Sequence, residues 1–217
     1  MDELPLFPLH SVLFPGAPLR LHIFEERYKR MINRCINEQR PFGVNLIRRG
    51  AEALGPLAEP FLIGTTARIV QVQNLADGRM NLAAVGEERF QIISMEPDLQ
   101  PYLVGYVEPF PLVVADQAKM EESAQKLHDR VERYLHTLSE VGAGQFDIGQ
   151  FPDDPLGFAY LSASLLQISD IQKQEILSTE HAEDLIVKIN QVYRRENALF
   201  KSFIAKGFEG HGIFSPN

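Results

Sequence analysis

The chain has 217 residues, of which 45% are apolar and 14 are Phe, so it can bury a sizeable core and is not expected to be disordered. Its net charge is −8 and it has no basic run, which argues against sequence-independent nucleic-acid binding, because such binding needs Lys and Arg to neutralise phosphates. The single cysteine, Cys35, excludes an internal disulfide and a cysteine metal cluster, and it agrees with a reducing compartment.

An apolar stretch broken by proline and glycine, LPLFPLHSVLFPG, occupies residues 4–16. An export signal needs a basic start and an unbroken apolar centre, whereas here Asp2 and Glu3 precede a run that prolines interrupt. No stretch reaches the roughly 18 apolar residues of a spanning helix, so we expect no membrane association and a cytoplasmic location. The prolines instead predict short extended pieces at residues 4–7 and 12–14, at a sheet edge where a missing N–H is tolerated.

Most of the first half is predicted to form short strands, at residues 19–23, 42–47, 63–73, 79–85, 89–95 and 102–107. Asp77-Gly78, between two of these runs, predicts a hairpin with a primed turn, since such a turn needs positive φ at its centre. Gly86 separates the next two strands. Six or seven strands with turn signals between them predict a closed or nearly closed β-barrel.

One helix is predicted to interrupt these strands. An apolar stripe at helical spacing indicates it, and the stripe consists of Phe24, Tyr28, Met31, Ile32 and Cys35. The opposite face is charged or polar, so we expect the helix to cover an open end or a flank of the barrel.

The second half is predicted to be helical and holds most of the acidic excess, with 10 basic and 16 acidic side chains in residues 116–217. Apolar residues keep helical spacing over residues 116–140, and Asp154-Pro155 predicts the start of a helix at 155–168. Ser169 with Gln172 resembles a capping box for a short helix ending at 177, and a last helix is expected from residue 178 or 179 to 207. The predicted fold is therefore α+β: a barrel domain with one covering helix at 1–115, followed by a helical bundle domain at 116–217.

Several phrases of the chain resemble the stand-alone form of the Lon amino-terminal domain family. They are LPLFPLHSVLFPGAPLRLHIFEERYKRM at 4–31, IGTTARIVQV at 63–72, DGRMNLAAVGEERFQII at 77–93 and LLQISDIQKQEILSTEHAEDLIVKI at 165–189. The resemblance implies that the first part is a PUA-like pseudo-barrel and the rest a helical subdomain. In the full-length ATP-dependent protease this region helps to recognise and hold unfolded substrates and supports assembly, without hydrolysing ATP or peptide.

No motif in the sequence indicates catalysis. The phosphate-binding pattern GxxxxGK[ST] is absent, and the catalytic Ser and Lys of the protease family have no counterpart that can be mapped here. The six histidines show no metal-binding spacing, and Cys35 lies on the apolar stripe of a helix, which favours a packing role. The carboxylate doublets at 25–26, 87–88 and 153–154 are not expected to converge on a substrate, because adjacent side chains point in different directions. We expect no catalytic residue, no metal site and no cofactor.

The candidate binding residues fall into three groups, for which alternatives stay open. Glu25, Arg27 and Tyr28 either line a peptide site beside the first helix or form a structural cluster. In that cluster Arg27 or Arg89 would pair with Glu25 and fix the helix against the barrel. Phe14 belongs to the proline-rich edge. The loop at 142–155 carries three apolar side chains that either contact a partner or fold back into the seam between barrel and bundle: Phe146, Ile148 and Phe151.

The function that these features favour is a non-catalytic module that binds exposed apolar or extended segments of unfolded proteins. A groove between barrel and helices, or strand addition at the edge, would provide the contact. A protease or a chaperone is a candidate partner, and the oligomeric state is left open. The alternatives are an RNA-binding PUA-like module, a small-ligand binder or enzyme that uses the interdomain cleft, and a purely scaffolding role.

Overall fold

The structure, a computed structural model, describes residues 2–52, 55, 57–97, 99–140 and 148–205, with side chains described up to residue 200. The strands in this part of the chain are β1 (Asp2–Leu9), β2 (Pro18–Ile23), β3 (Phe42–Arg49), β4 (Glu59–Pro60), β5 (Ile63–Asn74), β6 (Met80–Glu96) and β7 (Leu103–Pro109). The helices are α1 (Glu26–Asn37), α2 (Gln117–Glu140), α3 (Pro155–Leu165), α4 (Asp170–Leu177) and α5 (Ala182–Ala205).

Five strands close into a ring. They are hydrogen-bonded in the order β1-β7-β6-β5-β3, and the parallel pair β1–β3 joins the ends of this sequence. β2 pairs with the first half of β6 outside the ring, and the short β4 pairs with β3. The predicted α+β fold, a barrel followed by helices, is confirmed; that the barrel is PUA-like stays a prediction.

β1 has a different neighbour along each half, so it is not a continuous edge strand, although each half is open on one side. Residues 2–6 pair antiparallel with β7, and residues 6–9 pair parallel with β3. Pro5 therefore lies in the half that pairs with β7, and Pro8 lies in the half that pairs with β3. Since each proline removes one backbone donor, it is accommodated where the strand has a hydrogen-bonded neighbour on one side only. Residues 12–14 form no strand and belong to the loop before β2.

The predicted hairpin joins β5 to β6, but its turn is not of the primed type. The N–H of Gly78 donates to the carbonyl oxygen of Leu75 (3.0 Å), and the N–H of Leu75 donates to that of Arg79 (2.8 Å). Within the loop, Gly78 alone has positive φ, at 78°, whereas Asp77 does not. This pattern is that of a three-residue hairpin loop that ends in a left-handed glycine, in which Asp77 accepts a hydrogen bond from the N–H of Arg79.

β6 passes through Gly86 without a break, although the sequence predicts two strands there. A Cβ atom on Gly86 would lie 2.4 Å from the carbonyl oxygen of Phe14. The N–H of Gly86 donates to the carbonyl oxygen of Ala17 (3.0 Å), and its own carbonyl accepts from Gly16 (2.8 Å). The glycine thus marks a close approach of two backbones and not a strand boundary, and it lets the loop before β2 lie directly on β6.

α1 lies against the barrel through its predicted apolar stripe. The ring of Tyr28 stacks on that of Phe7 in β1, with 4.1 Å between the centroids. Phe24 precedes the helix and is 44% exposed, so its inclusion in the stripe is wrong, because helical periodicity does not apply before the helix begins. The other stripe residues are buried: Tyr28, Met31, Ile32 and Cys35.

Four helices follow β7 in the described part of the second half, as predicted. Asp154 caps α3 by accepting a hydrogen bond from the N–H of Gly157 (2.6 Å), and Ser169 with Gln172 forms the expected capping box of α4. α3 ends at Leu165 rather than 168, and α5 begins at Ala182 rather than 178 or 179. The delay in α5 has a clear cause, since the backbone at 180–182 is hydrogen-bonded to Val113 instead of entering the helix. The expected end of α5 at 207 lies outside the described residues.

The barrel and the helices share one apolar core. A single cluster of buried side chains includes Phe7 and Phe42 of the barrel together with Leu127 and Tyr193 of the helices. The change from strands to helices falls between β7 and α2, close to the proposed boundary at residue 115. The division into domains at 1–115 and 116–217 stays a prediction.

Candidate functional site

A surface groove surrounds the first turns of α3, where the helices meet the barrel. It consists of three adjoining depressions of about 450, 270 and 360 Å³. The first and second share Pro152, and the second and third share Pro15, Leu156 and Tyr160. We call this surface the α3 groove; its apolar lining is formed by Pro15, Phe110, Pro111, Leu112, Ile148, Phe151, Pro152, Pro155, Leu156, Phe158 and Tyr160.

The first depression lies between α2 and the segment that leads into α3. The ring of Phe158 lines it and contacts two other rings. The centroid of the Phe151 ring lies 5.3 Å from that of Phe158, and the ring of His128 stacks on Phe158 with 5.1 Å between centroids. Ile148 and Phe151 pack onto the apolar core, yet both remain half-buried and line the depression. Phe151 thus packs against α3, and both side chains pack onto the core while keeping some exposed surface; that they contact a partner stays a prediction.

Tyr160 forms the floor of the other two depressions. Phe14 lies behind it in the barrel, fully buried, with 6.4 Å between the two ring centroids. Burial raises the pKa of the Tyr160 hydroxyl to about 12, although the nearby Arg89 guanidinium acts in the opposite direction. The hydroxyl is therefore neutral at physiological pH, and the ring serves as a packed, uncharged floor.

Arg89 ties the barrel to the helices beneath the third depression. Its Nη1 donates hydrogen bonds to the carbonyl oxygens of Leu177 (2.5 Å) and Thr179 (2.6 Å), at the end of α4. Its guanidinium lies over the ring of Phe110, 4.7 Å from the centroid. The residue is 4% exposed, and burial lowers the pKa of its guanidinium. Cationic donors satisfy the last carbonyls of a helix well, so Arg89 acts as a cap of α4 supplied by the barrel.

Glu25, Arg27 and Tyr28 form a separate cluster at the start of α1 and do not line the α3 groove. Nε of Arg27 lies 3.1 Å from Oε2 of Glu25, and its guanidinium lies 4.7 Å from the centroid of the Tyr28 ring. Nη1 of Arg27 also donates to the carbonyl oxygen of Gly55 (3.3 Å). These contacts are those expected of a structural cluster, in which Arg27 pairs with Glu25, whereas Arg89 binds the end of α4.

The groove thus brings together some of the predicted binding residues and leaves others apart. Ile148 and Phe151 line it, Arg89 lies at its base, and Phe14 supports its floor. Phe146 lies outside the described residues. Sequence reasoning missed Leu156, Phe158 and Tyr160, although the Asp154-Pro155 start fixes all three on the first turns of one helix.

The carboxylate doublets take separate local partners. Oε1 of Glu87 pairs with Arg68 (2.6 Å), whereas the backbone N–H of Glu88 donates to Thr66. Asp154 caps α3, and its neighbour Asp153 faces the first depression. Among the described residues, no group of three or more His, Cys, Asp or Glu side chains is arranged to hold a metal ion. No helix in the same residues has the length and apolar character needed to cross a membrane.

These features define a barrel followed by helices, with an open and partly apolar groove around the start of α3. The chain belongs to the family of the ATP-dependent protease La (LON) substrate-binding domain, whose family model matches residues 3–194. The match falls on the substrate-binding domain and not on the catalytic part of the protease.

Solved structures and curated proteins agree with this assignment. The structure is similar to a Lon N-terminal domain protein from Xanthomonas campestris, with a TM-score of 0.62 and 26% identity, covering 87% of this chain and 97% of that one. The N-terminal domain of Lon protease from the Mycobacterium avium complex, at 18% identity and a TM-score of 0.64, shares the fold over 89% of this chain and 98% of that one.

Lon protease of Anaeromyxobacter dehalogenans is 24% identical over 200 residues, which are 91% of this chain and 24% of that protein. A LON peptidase N-terminal domain and RING finger protein of Schizosaccharomyces pombe is 26% identical over 86% of this chain and 44% of its own length. The chain thus spans between about a quarter and a half of the curated relatives it matches.

Proposed function

We propose that the chain binds exposed apolar or extended segments of other proteins in the α3 groove. The observation that carries this proposal is the groove itself: three adjoining depressions, of which the second and third are lined mainly by Pro, Phe, Leu and Tyr, whereas the first combines Ile148, Phe151, Pro155 and Phe158 with polar side chains. Membership of a substrate-binding domain family supports the proposal, because it predicts a protein ligand rather than a small substrate.

The groove favours loose sequence preference. Affinity would come from burying apolar side chains at roughly 25 cal/mol per Å², a force that has no direction and selects no particular side chain. Prolines along the lining leave few backbone donors to fix a ligand's register, so apolar content should matter more than exact order. Such a ligand is available in unfolded or partly extended chains, and a protease or chaperone that receives them is part of this proposal. A cytoplasmic location belongs to it too, in keeping with the buried free thiol of Cys35.

A peptide with a single Trp provides a clean assay, because this chain contains no tryptophan. The peptide would have about ten residues, uncharged, with Leu and Phe alternating with Ser, a length that spans roughly 33 Å when extended. Its Trp fluorescence should change on titration with the wild-type chain, and a counterpart with Ser in place of Leu and Phe should give no change.

Matched variants tie the signal to the groove. Phe151→Ser combined with Leu156→Ser should weaken binding by at least about tenfold, because each substitution removes apolar surface from the lining. Ile171→Ser is the control, since Ile171 is 52% exposed on α4 and lies outside the groove. Equal affinity for the apolar and the all-serine peptides, or an unchanged affinity in the groove variant, would refute the proposal.

A further inference from the structure

The charged side chains that line the α3 groove are mostly acidic. In the described part of the chain, and apart from His128, one is a guanidinium and five are carboxylates: Arg89, Glu87, Glu88, Glu121, Asp153 and Asp154. Arg89 is buried and occupied by the carbonyl oxygens of Leu177 and Thr179, so it offers little charge to a ligand. The electrostatic character of the surface is therefore set by the carboxylates.

Two of these carboxylates are held by an ion pair or by a helix N-terminus. Glu87 forms an ion pair with Arg68 (2.6 Å), and Asp154 accepts from the N–H of Gly157 at the start of α3. Glu88, Glu121 and Asp153 are exposed, and within the described residues none of them forms an ion pair, although Glu121 accepts a hydrogen bond from the neutral side chain of Gln117 (2.7 Å). Three carboxylates are thus available to a ligand.

The positions of these three carboxylates bracket the apolar part of the groove. Glu121 and Asp153 line the first depression, whereas Glu88 lines the third. The middle depression shares lining residues with both others, and its only charged lining residue among the described ones is Asp154, the cap of α3; the rest are Pro15, Gly16, Pro152, Leu156, Gly157, Tyr160 and Leu161. A ligand that follows the groove would therefore meet negative charge at both ends and apolar surface in between.

We propose that the α3 groove selects apolar segments that carry Lys or Arg on both flanks. This inference rests on the proposed function and names the chemical class of the segment. An exposed ion pair contributes a factor of roughly two to five in affinity, so three carboxylates together favour a basic-flanked segment about tenfold over a neutral one. The same charges repel acidic segments, and they repel nucleic-acid phosphates.

Three peptides with one apolar core and one Trp test the inference. Their flanks would be Lys, Ser or Glu, and affinity should fall in that order at low salt. The differences in affinity among the three peptides should shrink when the salt concentration rises from about 0.05 M to about 0.5 M, because the exposed charges are then screened. Replacing Glu88, Glu121 and Asp153 by Gln, Gln and Asn should reduce the affinity for the Lys-flanked peptide about tenfold and change that for the Ser-flanked peptide less than about twofold.

Glu96→Gln combined with Glu175→Gln is the matched control, because both residues are exposed and neither lines the groove. This control should retain the preference for Lys flanks. Equal affinity for all three peptides would overturn the inference while leaving the proposed function intact, whereas failure of every peptide to bind would overturn both. Binding of a structured RNA more tightly than the Lys-flanked peptide would also overturn it.

Discussion

Arg89 in β6 donates a hydrogen bond to the carbonyl oxygen of Leu177, the last residue of α4. Because Thr179 accepts a second bond from the same nitrogen, one barrel side chain holds the end of a helix. Arg89→Ala would leave two buried carbonyl groups without this donor, so we expect the free energy of unfolding to fall by about 3 kcal/mol. Urea denaturation followed by circular dichroism measures this change.

Arg68→Ala is the control for Arg89. Arg68 lies on the neighbouring strand β5 and pairs with Glu87, but it is exposed, so its removal should cost less than about 1 kcal/mol. Arg89→Lys keeps the positive charge but lacks the planar guanidinium with its several donors. We therefore expect a loss in the free energy of unfolding between those of the other two variants. If Arg89→Ala proved as mild as Arg68→Ala, the contact with α4 would not be a structural link.

The role of Arg89 shows where sequence reasoning reaches its limit. Periodicity and turn residues predicted most of the strands, the covering helix and both helix caps, because each depends on neighbours within a few residues. The partner of Arg89 lies 88 positions further along the chain, and no local pattern points to it. The sequence suggested Arg27 or Arg89 as the partner of Glu25, and Arg27 has that role, whereas Arg89 binds the end of α4.

The groove could be predicted only in part, because some of its residues are brought together by contacts between distant parts of the chain. Ile148 and Phe151 stood out as apolar residues in a loop, whereas Leu156 and Tyr160 had the appearance of ordinary core residues of a helix. Their place in the lining of the groove depends on how α3 packs against Pro15 and the segment at 109–112, which is a tertiary relationship. The edge prediction for β1 held only within each half of the strand, since the parallel pairing with β3 joins residues that are distant in the chain.

Cys35 should make stability depend on alkaline pH. Burial raises the pKa of its thiol from 9.0 to about 11, so the folded state keeps the proton longer than the unfolded state does. The resulting stabilisation is complete below pH 9 and is lost as the pH rises through 11. Relative to Cys35→Ala, which lacks this proton, the wild type should lose about 2 kcal/mol between pH 8 and pH 11.

Denaturation curves of the two proteins at several pH values measure the difference directly, and the shared contribution of the buried tyrosines cancels. A thiol reagent gives a second readout, since native Cys35 should react far more slowly than the same residue in urea. A constant difference in stability across this pH range would contradict the burial-induced shift.

Gly86 should be intolerant of any side chain. A Cβ atom there would lie 2.4 Å from the backbone oxygen of Phe14, so Gly86→Ala must displace the loop that holds Phe14 beneath Tyr160. We expect a loss of about 3 kcal/mol and weaker peptide binding, because the groove floor moves with the loop. Gly16→Ala is the comparison: its φ of 76° makes alanine strained, but nothing lies within 4 Å, so the loss should be near 1 kcal/mol. Similar losses for the two variants would argue against the backbone contact.

Arg27 and Phe151 should separate the two roles that the sequence left open. Arg27 is mostly buried between Glu25, Tyr28 and the carbonyl of Gly55, so Arg27→Ala should lower the free energy of unfolding by about 1 kcal/mol and leave peptide affinity unchanged. Phe151 is half-buried in the groove wall, so Phe151→Ser should reduce affinity severalfold at a stability cost of about 1 kcal/mol, chiefly from its contact with Phe158.

Both variants are expected to lose similar stability, so the decisive comparison is the change in peptide affinity in Arg27→Ala against that in Phe151→Ser. Affinity measured well below each unfolding transition isolates the ligand contact from global destabilisation. If Arg27→Ala weakened peptide binding as much as Phe151→Ser, the ligand would have to reach the start of α1, and the cluster of Glu25, Arg27 and Tyr28 would be part of the site together with the α3 groove. If only Phe151→Ser did so, that cluster would be a device that fastens α1 to the barrel.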